Sequence, residues 1–287
     1  MNLFALTDIA GSRIIRFPLS ADLQRDIEST FVDQRDFFFE SVIDEVIFDG
    51  QYTPLDYEIL VIQNFVDVDG VLHAVGNPLA IDQYDPQVHS LDNVKSIFCS
   101  VDGPNGPQVL FQVFERRRVL ARNALTMFYA NNQFQKITDT GLSLDSKIVA
   151  VVEAGVLKFH SFHFAKRIFD LSDYYREATN EEVVSFTSHE KLKVEDPERF
   201  LEVAGSLIRR KISFIRQSAV LEENSVEQIA IVAESVRFPL QVTQEGRIVV
   251  PNDSAGLRSL LRFLDEDYYE SPLSRTLYLS SSKRKVT

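Results

Sequence analysis

Two apolar runs joined by a turn rich in glycine and proline constrain this chain more than any other feature. Val94–Val101 and Val109–Phe114 flank Asp102-Gly-Pro-Asn-Gly-Pro107. β-Branched and aromatic residues fill the runs, and the Gly/Pro/Asn cluster supplies the backbone geometry of a reversal, so the segment predicts a β-hairpin. A second hairpin is predicted from Lys147–Val152 and Val156–His160 around Ala154-Gly155, and a third from Leu240–Thr243 and Arg247–Val250 around Glu245-Gly246.

Helical signals lie between and after these hairpins. Ser20 is placed to cap a helix over 21–36 with Leu23, Ile27 and Phe31 as its apolar stripe. Other helices are expected over 162–169, from a Ser172 cap to 186, from Asp196-Pro197 to 217, from Ser225 to 236, and from the Asn252–Ser254 caps to Leu264. Arg13–Phe17, Glu58–Val66 and Thr276–Ser280 read as strands, and 67–92 as loop. Glu58-Ile-Leu-Val-Ile-Gln-Asn-Phe-Val66 shows little alternation, the pattern of a strand buried on both faces. Hairpins and helices do not alternate as βαβ units. The expected fold is therefore α+β, with antiparallel hairpins in the N-terminal half and mixed helices and hairpins in the C-terminal half. A domain boundary is expected near residue 140, at Thr138-Asp-Thr-Gly141, giving regions 1–140 and 141–287.

Charge supports that division. The net charge is −12, and residues 1–100 hold 17 acidic but only five basic side chains, which accounts for all of it. The remainder is balanced and can present a local basic face. An acidic N-terminal region repels phosphates and is better suited to a protein partner or a dimer contact.

Motifs exclude much chemistry. There is no phosphate-binding glycine loop, no dinucleotide fingerprint, no serine-hydrolase elbow and no H-E-x-x-H. The expectation is a protein without cofactor or catalytic residues. The lone Cys99 permits no internal disulfide and no cysteine metal site, and its apolar neighbours predict a buried, inert thiol. No apolar run is long enough to span a bilayer, and the first residues lack a basic leader, so a cytoplasmic protein is expected, with any membrane contact made through a partner. His160 and His163 read as structural.

Basic clusters carry the sharper signal. Arg116, Arg117 and Arg118 with Arg122 end the first hairpin, Lys166-Arg167 follow the second, Arg209, Arg210 and Arg216 lie on the expected long helix, and Lys283, Arg284 and Lys285 form the tail. Together they are the candidate DNA-contacting residues, acting by neutralising phosphates without reading sequence. On a helical wheel Arg209, Ser213 and Arg216 share the face opposite Phe200, Leu207 and Ile215, whereas Lys211 falls inside the apolar arc. That lysine must snorkel or mark a break in the helix. Asp265, Glu266 and Asp267 follow a helix end, where the macrodipole disfavours them. They form either a solvated turn with Arg262 paired to Glu266 or a weak metal-ligating set for a nuclease.

Two stretches carry a resemblance. They are Ile148–Phe169 followed by Asp170-Leu-Ser-Asp-Tyr-Tyr175, and Leu260-Leu-Arg-Phe-Leu-Asp-Glu-Asp-Tyr-Tyr-Glu-Ser271 continuing through Tyr278 to Lys283. Both resemble the family typified by the B subunit of the Kiwa anti-phage defence system, as does Phe17-Pro-Leu near the start. The resemblance implies a soluble, non-enzymatic defence protein that self-associates, binds DNA and works with a small transmembrane partner subunit at the inner membrane. It assigns no catalytic residue. The rival expectations are a metal-dependent nuclease and a protein-interaction module that never meets nucleic acid.

Overall fold

The computed structural model describes residues 1–8, 13–120, 127–130, 133–136, 141–172 and 174–284. The fold is α+β, as expected. The chain forms two compact units: 1–48 with 54–171, and 49–53 with 172–287.

In the first unit β1 (Leu3–Thr7), β2 (Ile14–Arg16), α1 (Ala21–Phe39), β3 (Asp44–Ile47), β4 (Glu58–Ile62), α2 (Asp69–Gly76), β5 (Val94–Gly103) and β6 (Gly106–Val113) come first. The short strands β7 (Val119–Leu120), β8 (Met127–Ala130), β9 (Gln133–Lys136) and β10 (Gly141–Leu142) follow, then β11 (Ala150–Glu153), β12 (Val156–Phe159) and α3 (Phe162–Ala165). Eight strands make one sheet in the order β2-β1-β5-β6-β11-β12-β4-β3. All its neighbours are antiparallel except β3 and β4. Both leading hairpins are present, β5–β6 and β11–β12, with Gly106 and Gly155 at positive φ in their turns. The second pairs with β6 and β4 inside the sheet. A division near residue 140 would cut that sheet, and the compact units instead divide at Leu171/Ser172.

Phenylalanine fills one face of the sheet. Phe4 lies opposite Phe98, and Phe98 opposite Phe111, with ring centroids 5.1 and 5.4 Å apart. Phe169 meets Phe111 edge-on at 5.0 Å, and Phe48 meets Phe159 at 5.3 Å. Such cross-strand aromatic pairs add about 0.5–1.5 kcal/mol each beyond area burial. α1 covers the other face. Its N-cap is Ser20, whose Oγ accepts from Leu23 N at 3.3 Å. The buried stripe is Ile27, Phe31, Gln34 and Phe38, and Leu23, which was expected in it, is 45% exposed. Gln34 is tolerated there because Gln112 Nε2 donates to its Oε1 at 2.7 Å while its own Nε2 donates to Asp145 O. β4 is buried along its whole length, but it stops at Ile62 rather than Val66, where Asn64 takes a left-handed backbone (φ 53°) and turns the chain out to solvent. The expected loop over 67–92 contains α2, which buries Val71 and Ala74. Gly70 and Gly76, inside its first and last turns, obscured the helical signal.

The second unit is mainly helical: α4 (Asn180–Thr187), β13 (Leu192–Lys193), α5 (Pro197–Val203), α6 (Ser206–Gln217), α7 (Val220–Glu223), α8 (Val226–Ser235), β14 (Ile248–Val249), α9 (Ser254–Leu264), β15 (Tyr268–Glu270) and β16 (Leu277–Leu279). α4 begins at Thr179 rather than at Ser172. Thr179 and Glu182 form a reciprocal capping box, a stronger start signal than an isolated serine. The expected long helix to residue 217 is two helices, broken where Ala204 leaves helical geometry before Gly205. The third hairpin keeps its turn, with Thr243 N donating to Arg247 O at 2.8 Å, but shrinks to one bridge. β14 pairs instead in parallel with β13. Among the described residues no helix is long and apolar enough to cross a membrane.

Candidate nucleic-acid interface

The predicted cations fall into two groups, one in each unit. In the first unit β6 leaves the sheet after Val113, and Phe114 N donates to Lys95 O to fix the exit. Glu115 is extended, and residues 116–118 make a single tight turn closed by Arg118 N on Glu115 O at 2.8 Å. Three consecutive arginines cannot all face one way from such a turn. Arg118 turns inward to Asp145 (2.7 Å) and Leu144 O (3.4 Å), while Arg116 and Arg117 stay exposed.

Lys166 and Arg167 arrive from the turn after α3. Ala165, Ile168 and Phe169 are buried there, which anchors the backbone and leaves the two cations outside. Lys166 Nζ lies 5.4 Å from the Phe162 ring centre. Glu115 joins the two segments: Arg117 Nε is 2.5 Å from Oε2, and Arg167 Nη1 is 3.3 Å from Oε1. Arg116, Arg117, Lys166 and Arg167 thus lie on two short turns pinned to one carboxylate. Exposed ion pairs of this kind contribute at most about 1 kcal/mol. Glu115 offsets one of the four positive charges, and the patch stays net positive.

In the second unit most of the candidate cations answer internal partners. Arg209 donates to Ala204 O (2.7 Å), Ala178 O (3.0 Å) and Asn180 Oδ1 (2.8 Å). It splices the break before α6 to the loop before α4. Arg210 stacks 4.6 Å over Tyr175, and partial burial lowers its pKa. Arg216 and Arg176 share Glu182, the first at 2.7 Å. Arg284 lies 5.9 Å from the Tyr52 ring centre. Arg122 and Lys285 lie outside the described residues.

Of the acidic triplet only Glu266 is solvated, and it is not paired with Arg262. Asp265 and Asp267 are 4% and 1% exposed. Lys211 Nζ contacts both, at 2.8 and 2.9 Å from the Asp267 oxygens and closer still to Asp265. Lys283 completes the group at 3.4 Å from Asp265 and 3.3 Å from Asp267. α9 ends at Leu264 and Glu266 takes a left-handed backbone (φ 56°), which removes the i,i+4 geometry expected for Arg262. Burial raises the pKa of Asp265, and Lys211 and Lys283 only oppose that. Two lysines thus take the place a metal ion would need. Among the described residues no group of three His, Cys, Asp or Glu side chains could hold a metal. His160 is structural as read: its Nε2 lies 2.8 Å from Phe38 O.

The family model of the Kiwa protein KwaB-like group matches residues 110–274, from within β6 to beyond β15. The chain belongs to the KwaB-like family. The match contains the whole Glu115-centred patch and, apart from Lys283, the buried Lys–Asp cluster. No curated protein and no solved structure matches this KwaB-like chain. Membership points to a role in Kiwa anti-phage defence.

Proposed function

We propose that this KwaB-like protein serves anti-phage defence by binding DNA without sequence preference, through Arg116, Arg117, Lys166 and Arg167. The observation that carries the reading is the convergence on Glu115 of two basic turns far apart in sequence, Arg167 lying 52 residues from that carboxylate. Exposed guanidinium and ammonium groups bind phosphate by releasing condensed counterions.

The arginines named on α6 hold the second unit together in this reading and do not contact phosphate. Arg209 has three of its five donors spent on internal acceptors, and Arg216 answers Glu182. The family likeness further supports self-association and a small membrane-spanning partner subunit, through which the protein would reach the inner face of the membrane.

The test is fluorescence anisotropy with a labelled random-sequence duplex. Arg117→Glu with Arg167→Glu should weaken binding at least about tenfold for every sequence, since each lost phosphate contact removes part of a shared electrostatic term. Equal affinity of the double variant and the wild type would overturn the assignment. A protein that binds no duplex even at low salt would favour the rival interaction module.

A further inference from the structure

The two ends of the main sheet have opposite surroundings. At one end β2 is covered: Arg16 N donates to Asp82 O and Tyr84 N donates to Arg16 O, both at 2.8 Å. At the other end β3 is bare. Asp44 N donates to Tyr57 O at 3.2 Å and Phe48 N to Val61 O at 2.9 Å. Alternation along a strand then turns the N–H and C=O groups of Glu45 and Ile47 away from β4. Among the described residues no backbone group pairs with them.

The side chains along this edge are not those of a protected one. Edge strands are usually blunted by lysine, proline or a bulge. Here Ile43 is 79% and Ile47 66% exposed, and Tyr57, beside Ile43, is 43% exposed. Around them stand the exposed carboxylates Glu40, Asp44 and Asp56. Lys158 reaches across from β12 and is already bound to Glu45 at 2.6 Å. The surface therefore offers strand hydrogen bonds, two isoleucines and uncompensated negative charge.

We infer that β3 is a docking edge for an extended segment of a partner protein, one that alternates apolar residues with Lys or Arg. The segment would add as a further strand, its main chain pairing with Glu45 and Ile47 and its cations answering Glu40, Asp44 and Asp56. A second copy of this chain fits less well, because it would bring Asp44 and Glu45 against their own counterparts within the region that carries the net negative charge.

The test uses the full chain and two labelled synthetic peptides, one alternating Lys with Val and one alternating Glu with Val. The Lys-Val peptide should bind the wild type and the Glu-Val peptide should not. Ile47→Pro removes the outward donor while leaving the β4-facing amides in place, and should weaken binding about tenfold, the worth of one or two strand hydrogen bonds. Ile47→Lys, at an exposed position that folding tolerates, should weaken it as well. Asp44→Asn with Asp56→Asn should flatten its salt dependence. Equal binding of both peptides, no binding of either, or unchanged affinity in a variant whose thermal unfolding matches the wild type would overturn the inference. So would a wild-type dimer that Ile47→Lys dissolves, which would make a second copy the occupant.

Discussion

Lys211→Ala tests how the second unit is held together. Lys211 is 13% exposed and contacts two carboxylates whose side chains are 3% and 0% exposed. Its removal leaves Asp265 and Asp267 facing each other with Lys283 alone, at 3.3 to 3.4 Å. Breaking a buried ion pair from one side costs about 3–5 kcal/mol, because the remaining charge stays desolvated. The unit has about 120 residues, and at about 2.1 cal/mol/K per residue its unfolding entropy is about 0.25 kcal/mol/K. Each kcal/mol then lowers the midpoint by about 4 °C, so the transition of this unit should fall by about 12–20 °C. Differential scanning calorimetry of the full chain measures it. Lys211→Met combined with Asp265→Asn and Asp267→Asn should recover most of the loss, since it removes the charges together. A shift of only a few degrees for Lys211→Ala, or no recovery in the triple variant, would refute the claim that charge desolvation dominates here.

Titration gives two further tests of opposite sign. The capped amide of Thr179, then Arg176 and Arg216, hold Glu182 below the ordinary glutamate pKa. Its contribution is complete above that ordinary value and is lost as pH falls through the lowered one, so the deficit of Glu182→Gln in urea unfolding should shrink in acid. Asp265 is raised by burial, so its contribution is present below the ordinary aspartate pKa and lost as pH rises through the raised one. Asp265→Asn should gain on the wild type as pH rises across that window, and a parallel pair of curves would contradict this. Burial also pushes the Cys99 thiol well up, so a thiol reagent at neutral pH should label it only on unfolding.

Local signals carried the fold where chemistry and geometry agree along a few residues. The turns at Gly106 and Gly155 and the caps Ser20 and Ser225 were legible because the residue and the backbone it needs are adjacent, while the last helix's cap was narrowed only to 252–254, of which Asp253 serves. The helix break at Ala204-Gly205 was hidden by an apolar period that runs on through both helices. The buried cluster was legible only as two anomalies. Lys211 sat wrongly in an apolar arc, and Asp265 and Asp267 sat wrongly at a helix end. The pairing of these residues, 54 and 56 apart, resolves both. Likewise the arginine triplet and Lys166-Arg167 were visible as separate patches, but only tertiary contact through Glu115 brings them together. Charge counting could not tell those exposed cations from Arg209, which looks equally basic in sequence and is bound to carbonyl oxygens.

The salt dependence of duplex binding bears most directly on the central claim. Four phosphate-neutralising side chains give a slope of log K against log salt of about −3 to −4. Arg117→Glu with Arg167→Glu should make that slope shallower by about 2, while Arg209→Gln leaves it unchanged. Identical slopes for the wild type and the Glu115-patch variant, or a loss confined to Arg209→Gln, would contradict the account.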